Sequence, residues 1–270
     1  MIEVLLITKG HPFEKEAFFQ IFDAMDGVNY THVEQPAAQV FFDPDLARPY
    51  DLFVCYDMPG IVFHDEPGRA PDFPAPSADL KNGFAKLLNC GHPFLFLHHA
   101  LAGWPTWPEY AEAMGGRFLY TPGELRGKPC LDSGYRHDVT YTVECTTRHP
   151  VLEGIPETFE ITDELYLAEI FTDSIVPLLA ARHEFTAQNF YSAAHAVIDG
   201  RLFSNQDWHH PPGPNLIGWV KTAGNSPVVY LQPGDGPGAY GNPHYRRLLS
   251  NAILWLASDD ARAWAAAQAG

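Results

Sequence analysis

Ile2 to Ile7 is a run of aliphatic residues broken only by Glu3, and it stops at Gly10; Phe13, Ala17, Phe18, Ile21, Phe22 and Met25 then recur at helical spacing. This pattern predicts a β-loop-α unit. Tyr30 to Val33 reads as a second strand and Asp51 to Tyr56 as a third, bounded by Pro49 and by Pro59-Gly60. Residues 64 to 77 contain four prolines and read as an irregular surface loop. A helix from about Leu80 to Leu88 precedes Pro93-Phe94-Leu95-Phe96-Leu97, the continuous apolar run expected of a parallel strand covered on both faces. Trp107 to Met114 forms the next helix, with Thr106 as N-cap, Pro108 in the first turn and Gly115-Gly116 as the stop.

Residues 117 to 190 look strand-rich, with Val139 to Cys145 alternating and Ile175 to Ala180 apolar. Leu216 to Val220 and Val228 to Leu231 lead to Gly234-Asp235-Gly236-Pro237-Gly238, after which Asn242 caps a last helix whose inner stripe is Leu248, Leu249, Ala252, Ile253 and Leu256. With no repeat or low-complexity linker, residues 1–258 are expected to form one α/β domain with long loops and residues 259–270 a C-terminal tail. Strands alternating with helices imply a mostly parallel sheet with helices on both faces, and ligands then bind outside the carboxyl ends of the strands.

Charge and composition narrow the function. Seventeen basic against 33 acidic residues give a net charge of −16, which disfavours nucleic acid and anionic membrane surfaces as partners. The first apolar run lacks a signal peptide's basic flank and length, and no apolar stretch approaches the roughly 18 residues of a membrane span, so a cytoplasmic protein is expected. Cys55, Cys90, Cys130 and Cys145 form neither a CxxC pair nor a disulfide framework and are expected as reduced, mostly buried thiols.

Four polar clusters adjoin predicted strand ends: Lys9-Gly10-His11, His98-His99, Asp163-Glu164-Leu165-Tyr166 and Gly234-Asp235-Gly236. Side chains alternate along a strand, so one of His98 and His99 should face the crevice while the other packs beneath the loop. A histidine there suits proton transfer. Asp163, Glu164 and Tyr166 suit hydroxyl binding or acid/base work, the plain alternative being a solvated turn with Asp163 as a helix cap. His149 either lines the site or caps a backbone group. Asp235 reaches a ligand or sits in a simple turn. His209, beside Trp208, lies on a prospective flap.

Other chemistries lack their motifs. Lys9-Gly10-His11 does not have the GxGxxG spacing of a dinucleotide site. Where a nucleophile elbow would place Ser or Cys after Phe94–Leu97, the chain has His98-His99-Ala100. Thirteen histidines leave a divalent metal open as a cofactor, yet HExxH is absent and any such site must be assembled across loops.

In this order the clusters resemble the ThuA-like (trehalose utilisation) family of the class I glutamine amidotransferase-like superfamily. The matching stretches are Thr8–Phe13, Tyr56–Gly60, Leu97–Ala102 with Trp104 and Tyr110, Gly115–Phe118, His149–Val151 with Gly154–Pro156, Asp163–Tyr166 and Asn251–Trp255. Where many members carry Gly-His, this chain has Gly234-Asp235. The resemblance implies a flavodoxin-like α/β fold and carbohydrate metabolism, in particular disaccharide utilisation through keto-sugars. The missing cysteine argues against glutamine hydrolysis. The expected protein is an isomerase, lyase or hydrolase acting on a sugar or keto-sugar, with His98 or His99 and Glu164 as acid and base, and with His11, Trp104, His149, Asp163, Tyr166, His209 and Asp235 around the substrate. The rivals are a non-catalytic carbohydrate-binding protein stacking sugars on Trp104, Trp107 and Trp208, and a metal-dependent hydrolase. A homodimer is a further open expectation.

Overall fold

The computed structural model describes residues 1–268. In its sheet β1 (Ile2–Lys9), buried on both faces along its middle, pairs on one side with the half-exposed edge strand β2 (Val28–Glu34) and on the other with β3 (Leu52–Asp57); β3 and β4 (Phe94–Leu97) are likewise buried on both faces. The chain continues through β5 (Gly134–Cys145), β6 (Thr158–Leu167), β7 (Val176–Arg182), β8 (Leu216–Ala223) and β9 (Ser226–Leu231). Strands run in the order β5, β7, β8, β9, β4, β3, β1, β2, with β6 also paired to β5 and the short strand Tyr191–Ser192 beyond it. Pairing is parallel from β9 through β4, β3 and β1 to β2. From β9 outward through β8, β7, β5 and β6 it is antiparallel.

Alternation within β1 shows why both faces need cover: Val4 and Leu6 enter one apolar cluster, Leu5 and Ile7 the other. On the first face lie α1 (Lys15–Asp23), through Phe18, Ile21 and Phe22, and α4 (Pro243–Leu256), through Leu248, Leu249, Ala252 and Ile253. On the second lie α2 (Ala78–Asn89), through Leu80, Phe84 and Leu87, and α3 (Pro108–Met114), through Tyr110 and Met114. The flavodoxin-like α/β architecture with helices on both faces is therefore present.

Several local details differ from the sequence expectation. Trp107, not Thr106, is the N-cap of α3, and it makes no side-chain capping bond. Gly115 does close that helix, at φ 95°. Asn242 caps α4 by accepting from the amides of His244 and Tyr245. The expected tail is helical: α5 (Asp259–Gln268) buries Ala261 and Ala265, because small side chains let it lie close against the core. All four cysteines are free, but only Cys55 is buried; Cys90 ends a helix and Cys130 lies in a surface hairpin, where little covers them. Among the described residues no helix is long and apolar enough to cross a membrane.

Asp163 to Tyr166 lie inside β6, not in a solvated turn. The strand alternates exposed and buried up to Asp163 and is buried on both faces after it, so Asp163, Glu164 and Tyr166 are all enclosed. Opposite them β5 carries a bulge: Arg136 pairs with Leu165 and Val139 with Asp163, leaving His137 and Asp138 facing the single residue Glu164. Asp138 adopts φ 55° there.

Candidate active site

The carboxyl ends of three parallel strands deliver His11 (after β1), His98 (after β4) and Asp235 (after β9) to the middle of the β5–β6 ribbon. His98 is the first residue beyond β4 and has φ 45°, so it occupies the strained strand-to-helix corner where hydrolases hold a nucleophile. Its Nδ1 donates to the Gln232 carbonyl at 2.6 Å. That bond aims Nε2 at Glu164 Oε2 (3.1 Å), the Tyr166 hydroxyl (2.7 Å) and Asp235 Oδ1 (3.4 Å). Gln232 also accepts the Tyr166 amide through Oε1 at 2.8 Å, which ties the end of β9 to β6.

Burial of His98 opposes a charge on its ring, yet the Asp235 and Glu164 carboxylates outweigh burial and hold its pKa well above the ordinary imidazole value. Asp235 is conversely held well below the usual carboxylate range: burial acts against this, and the His137 and His98 rings prevail. His137 Nε2 stands 3.4 Å from Glu164 Oε1, and its Nδ1 stands 3.8 Å from Asp235 Oδ2. The Asp235 carboxylate raises the His137 pKa against partial burial. Two imidazole rings whose pKa values are raised thus interlock with two carboxyl groups.

His99 does different work. Its Nε2 donates to the Tyr56 carbonyl at 3.3 Å, and its ring stacks on His11 with centroids 4.7 Å apart. Burial, aided by the neighbouring His11 and His98, drives its pKa far down and keeps it neutral. His11 is lowered as well, first by burial and then by His98. Asp163 accepts from the amides of Gly234 (2.6 Å) and Asp235 (3.1 Å), which fixes the turn bearing Asp235; burial pushes its pKa up to about 7.

A cavity of about 300 Å³ opens over Glu164. Its walls are His11, Phe118, Tyr120, Tyr135, His137, Tyr166, Ala193, Ala196, Leu202 and Phe203, with neither lysine nor arginine. Glu164 and Tyr166 face this space, whereas His98 is fully buried behind them and His99 lies beneath His11. Neither member of the His98-His99 pair lines the cavity. Glu164, His98 and Asp235 are also the group that could share a cation, with one ligand atom from each lying within 4.8 Å of the others. The Tyr166 hydroxyl and both carboxylates already converge on His98 Nε2, an arrangement that equally suits a proton on that nitrogen.

Five expected contributors lie elsewhere. Trp104 and Trp107 are buried against each other, the latter stacked on Tyr110, so the first closes the turn at Gly60 and the second fills the core. Trp208 is buried with its Nε1 donating to Asp132 at 3.1 Å. None of the three offers a stacking face to a sugar. His149 takes the structural option: its Nδ1 accepts the Val151 amide at 3.2 Å and its ring packs edge-on against Trp255. His209 is exposed and outside the cavity.

His137 is the residue missed from the sequence. It stands two positions before Val139, just ahead of the alternating stretch, where a regular strand would put it on the Val139 face; the bulge reverses that face. Tyr135 accordingly packs in one apolar cluster and Tyr141 in the other.

The family described as trehalose utilisation, ThuA, matches residues 3–256. No curated protein matches the chain. Among solved structures, a protein described as ThuA-like from Parabacteroides merdae superposes with a TM-score of 0.61 at 16% identity, covering 95% of this chain and 90% of that one. A cytoplasmic protein from Salmonella typhimurium LT2 gives 0.59 at 10% identity, covering 94% and 99%. Likeness at such identities concerns the fold.

Proposed function

Because the chain belongs to the ThuA family of trehalose utilisation, we propose that its cavity binds a neutral sugar or keto-sugar and moves a proton on it. The observation that carries this reading is the Glu164 carboxylate, held between His98 and His137 in the wall of the cavity. In the proposed step Glu164 takes a proton from the carbon beside a sugar carbonyl. The electron pair of that bond moves to the carbonyl oxygen, and protonated His137 gives its proton to that oxygen. The enediol so formed becomes an isomer when the now neutral His137 takes the proton of its other hydroxyl, the electron pair of that O–H bond forms the new carbonyl, and protonated Glu164 returns its proton to the former carbonyl carbon.

The rest of the site fits that task. His98 positions Glu164 from behind. Phe118, Tyr120, Tyr135 and Phe203 offer flat apolar surfaces to the C–H faces of a ring. The absence of lysine and arginine from the wall disfavours phosphorylated substrates. The carbohydrate-binding alternative loses its main support, since Trp104, Trp107 and Trp208 are buried away from the cavity. The test is turnover of a keto-disaccharide by Glu164→Gln. Loss of turnover with the thermal transition nearly unchanged supports the assignment, and unchanged turnover rejects it.

A further inference from the structure

The rim of the cavity over Glu164 is unlike its floor. Leu202 and Phe203 line the cavity yet remain 63% and 57% exposed, so much of each side chain projects beyond the mouth. A second lip follows β3: Phe63 is 44% exposed and packs edge-on against the lining residue Tyr120 with centroids 5.1 Å apart, and Val62 beside it is 46% exposed. Large apolar side chains left in water around a cavity mouth mark a binding surface.

We propose that these lips hold an apolar substituent on the sugar, so that the substrate is a glycoside whose second half is an aromatic or alkyl group and not another sugar. This rests on the reading of the cavity as a sugar site. A cavity of about 300 Å³ stands at the bottom of the range of roughly 300–1,000 Å³ usual for small-molecule pockets, so it takes one sugar ring and leaves whatever that ring carries at the mouth. Hydroxyls of the enclosed ring meet His11, His137 and Glu164. Farther out the wall has little to offer the hydroxyls of a second ring, because its phenols are engaged within the protein. The Tyr120 hydroxyl donates to Met58 Sδ at 3.4 Å, the Tyr135 hydroxyl accepts the Phe203 amide at 3.0 Å, and the Tyr166 hydroxyl lies on His98 Nε2.

Both lips are held in place. Phe203 has φ 56°, a left-handed conformation that a bulky residue keeps only under constraint, and the bond from its amide to Tyr135 supplies the constraint. On either side of it the Arg201 amide donates to the His195 carbonyl at 2.9 Å, and the Ser204 carbonyl accepts the Ser192 amide at 3.0 Å. Val62 exchanges amide bonds with Asp72 at 2.9 and 3.0 Å, and the Gly68 amide ties the two lips together by donating to the Ile198 carbonyl at 2.6 Å. The Phe203 ring stands edge-on to His137 with centroids 5.9 Å apart, so a group resting on it lies beside the proposed acid. A surface ordered before its ligand arrives costs little further entropy to occupy.

The test measures binding of methyl β-glucoside, phenyl β-glucoside and trehalose to the full chain by calorimetry or saturation-transfer NMR. It is repeated on Phe63→Ser, Leu202→Ser and Phe203→Asn, the last chosen because asparagine tolerates the left-handed backbone. Phenyl glucoside is expected to bind at least about tenfold tighter than methyl glucoside, and trehalose no tighter than methyl glucoside. Each variant should shrink the phenyl-to-methyl ratio toward one with its circular dichroism spectrum unchanged. A ratio near one in the parent protein, a ratio that the variants leave intact, or trehalose as the tightest ligand overturns the proposal and leaves the cavity reading standing. If none of the three binds, both readings fall. A second copy of the chain seated on the lips would show in sedimentation as a dimer that Phe63→Ser and Leu202→Ser dissociate, and that outcome also overturns the proposal.

Discussion

His98 Nε2 lies 3.1 Å from Glu164 Oε2, and the histidine is completely buried while the glutamate faces the cavity. In the proposed reaction the pair divides its labour: Glu164 meets the substrate, and His98 holds Glu164 in place. His98→Asn is expected to lower kcat by about 10- to 100-fold, the range seen when a supporting partner is removed, with KM nearly unchanged. Glu164→Gln should cost about 10²- to 10⁴-fold in kcat, as for loss of a general base. Steady-state kinetics on a keto-disaccharide reads both, and a His98 variant that changes KM alone contradicts the positioning role.

His137 should govern the alkaline side of the pH profile. Its pKa is raised, and only the protonated ring can give a proton to the substrate oxygen, so activity should fall as pH rises through that raised value. His137→Gln is expected to remove this limb and lower the plateau. A variant whose alkaline limb matches that of the parent protein would transfer the acid role to another group.

Divalent zinc should inhibit. A cation entering between His98, Glu164 and Asp235 would take the Nε2 position that a proton fills and would tie up the Glu164 carboxylate. Turnover measured with increasing zinc should decline, and chelation should restore it. Activation by zinc would instead favour the metal-dependent hydrolase.

Asp57 supplies a prediction about stability. It is fully enclosed, accepts a 2.7 Å hydrogen bond from Gln35 on Oδ2, and leaves Oδ1 without a partner among the described residues. Burial raises its pKa from 3.8 to about 7. Between those values the folded state keeps a proton that the unfolded chain has released, so stability declines as pH rises from about 4 to 7. A shift of about three units corresponds to at most roughly 4 kcal/mol above pH 7. Asp57→Asn removes that slope, so melting temperatures at pH 5 and pH 8 should differ less in the variant than in the parent. Equal slopes would show that Asp57 titrates normally.

What the sequence discloses follows from which physical signal each feature leaves in it. Strands covered on both faces leave unbroken apolar runs, which is why Leu52–Tyr56, Phe94–Leu97 and Val228–Leu231 are legible in the chain itself. Loops after those strands point to the carboxyl edge, so His11, His98 and Asp235 were legible as a group. Glu164 and Tyr166 were legible as reactive residues but not as parts of a buried strand, because their cover comes from distant elements such as the Gln232 side chain. The β5 bulge leaves no local mark, so neither the direction of His137 nor the reversed face of Tyr135 is legible in the residue pattern. His149 and Trp104 show the opposite error: polar and aromatic types advertise chemistry, while only tertiary neighbours reveal that one caps a turn and the other packs at Gly60.

Gly234 joins the fold to the chemistry and gives the last prediction. It sits at φ +132°, where a side chain is strained, and an added Cβ would come within 2.5 Å of the buried Tyr245 hydroxyl. Its amide is also one of the two that Asp163 accepts, so any movement of this residue is transmitted to Asp235 beside it. Gly234→Ala is expected to destabilise the protein by about 1–3 kcal/mol through backbone strain and to lower turnover as the Asp235 carboxylate leaves His98. Adding Tyr245→Phe removes the colliding oxygen but not the strained φ, so the double variant should recover part of the stability and part of the activity. Chemical denaturation and kinetics on both proteins test this; full recovery would assign the whole effect to the collision, and no recovery would assign it to the backbone.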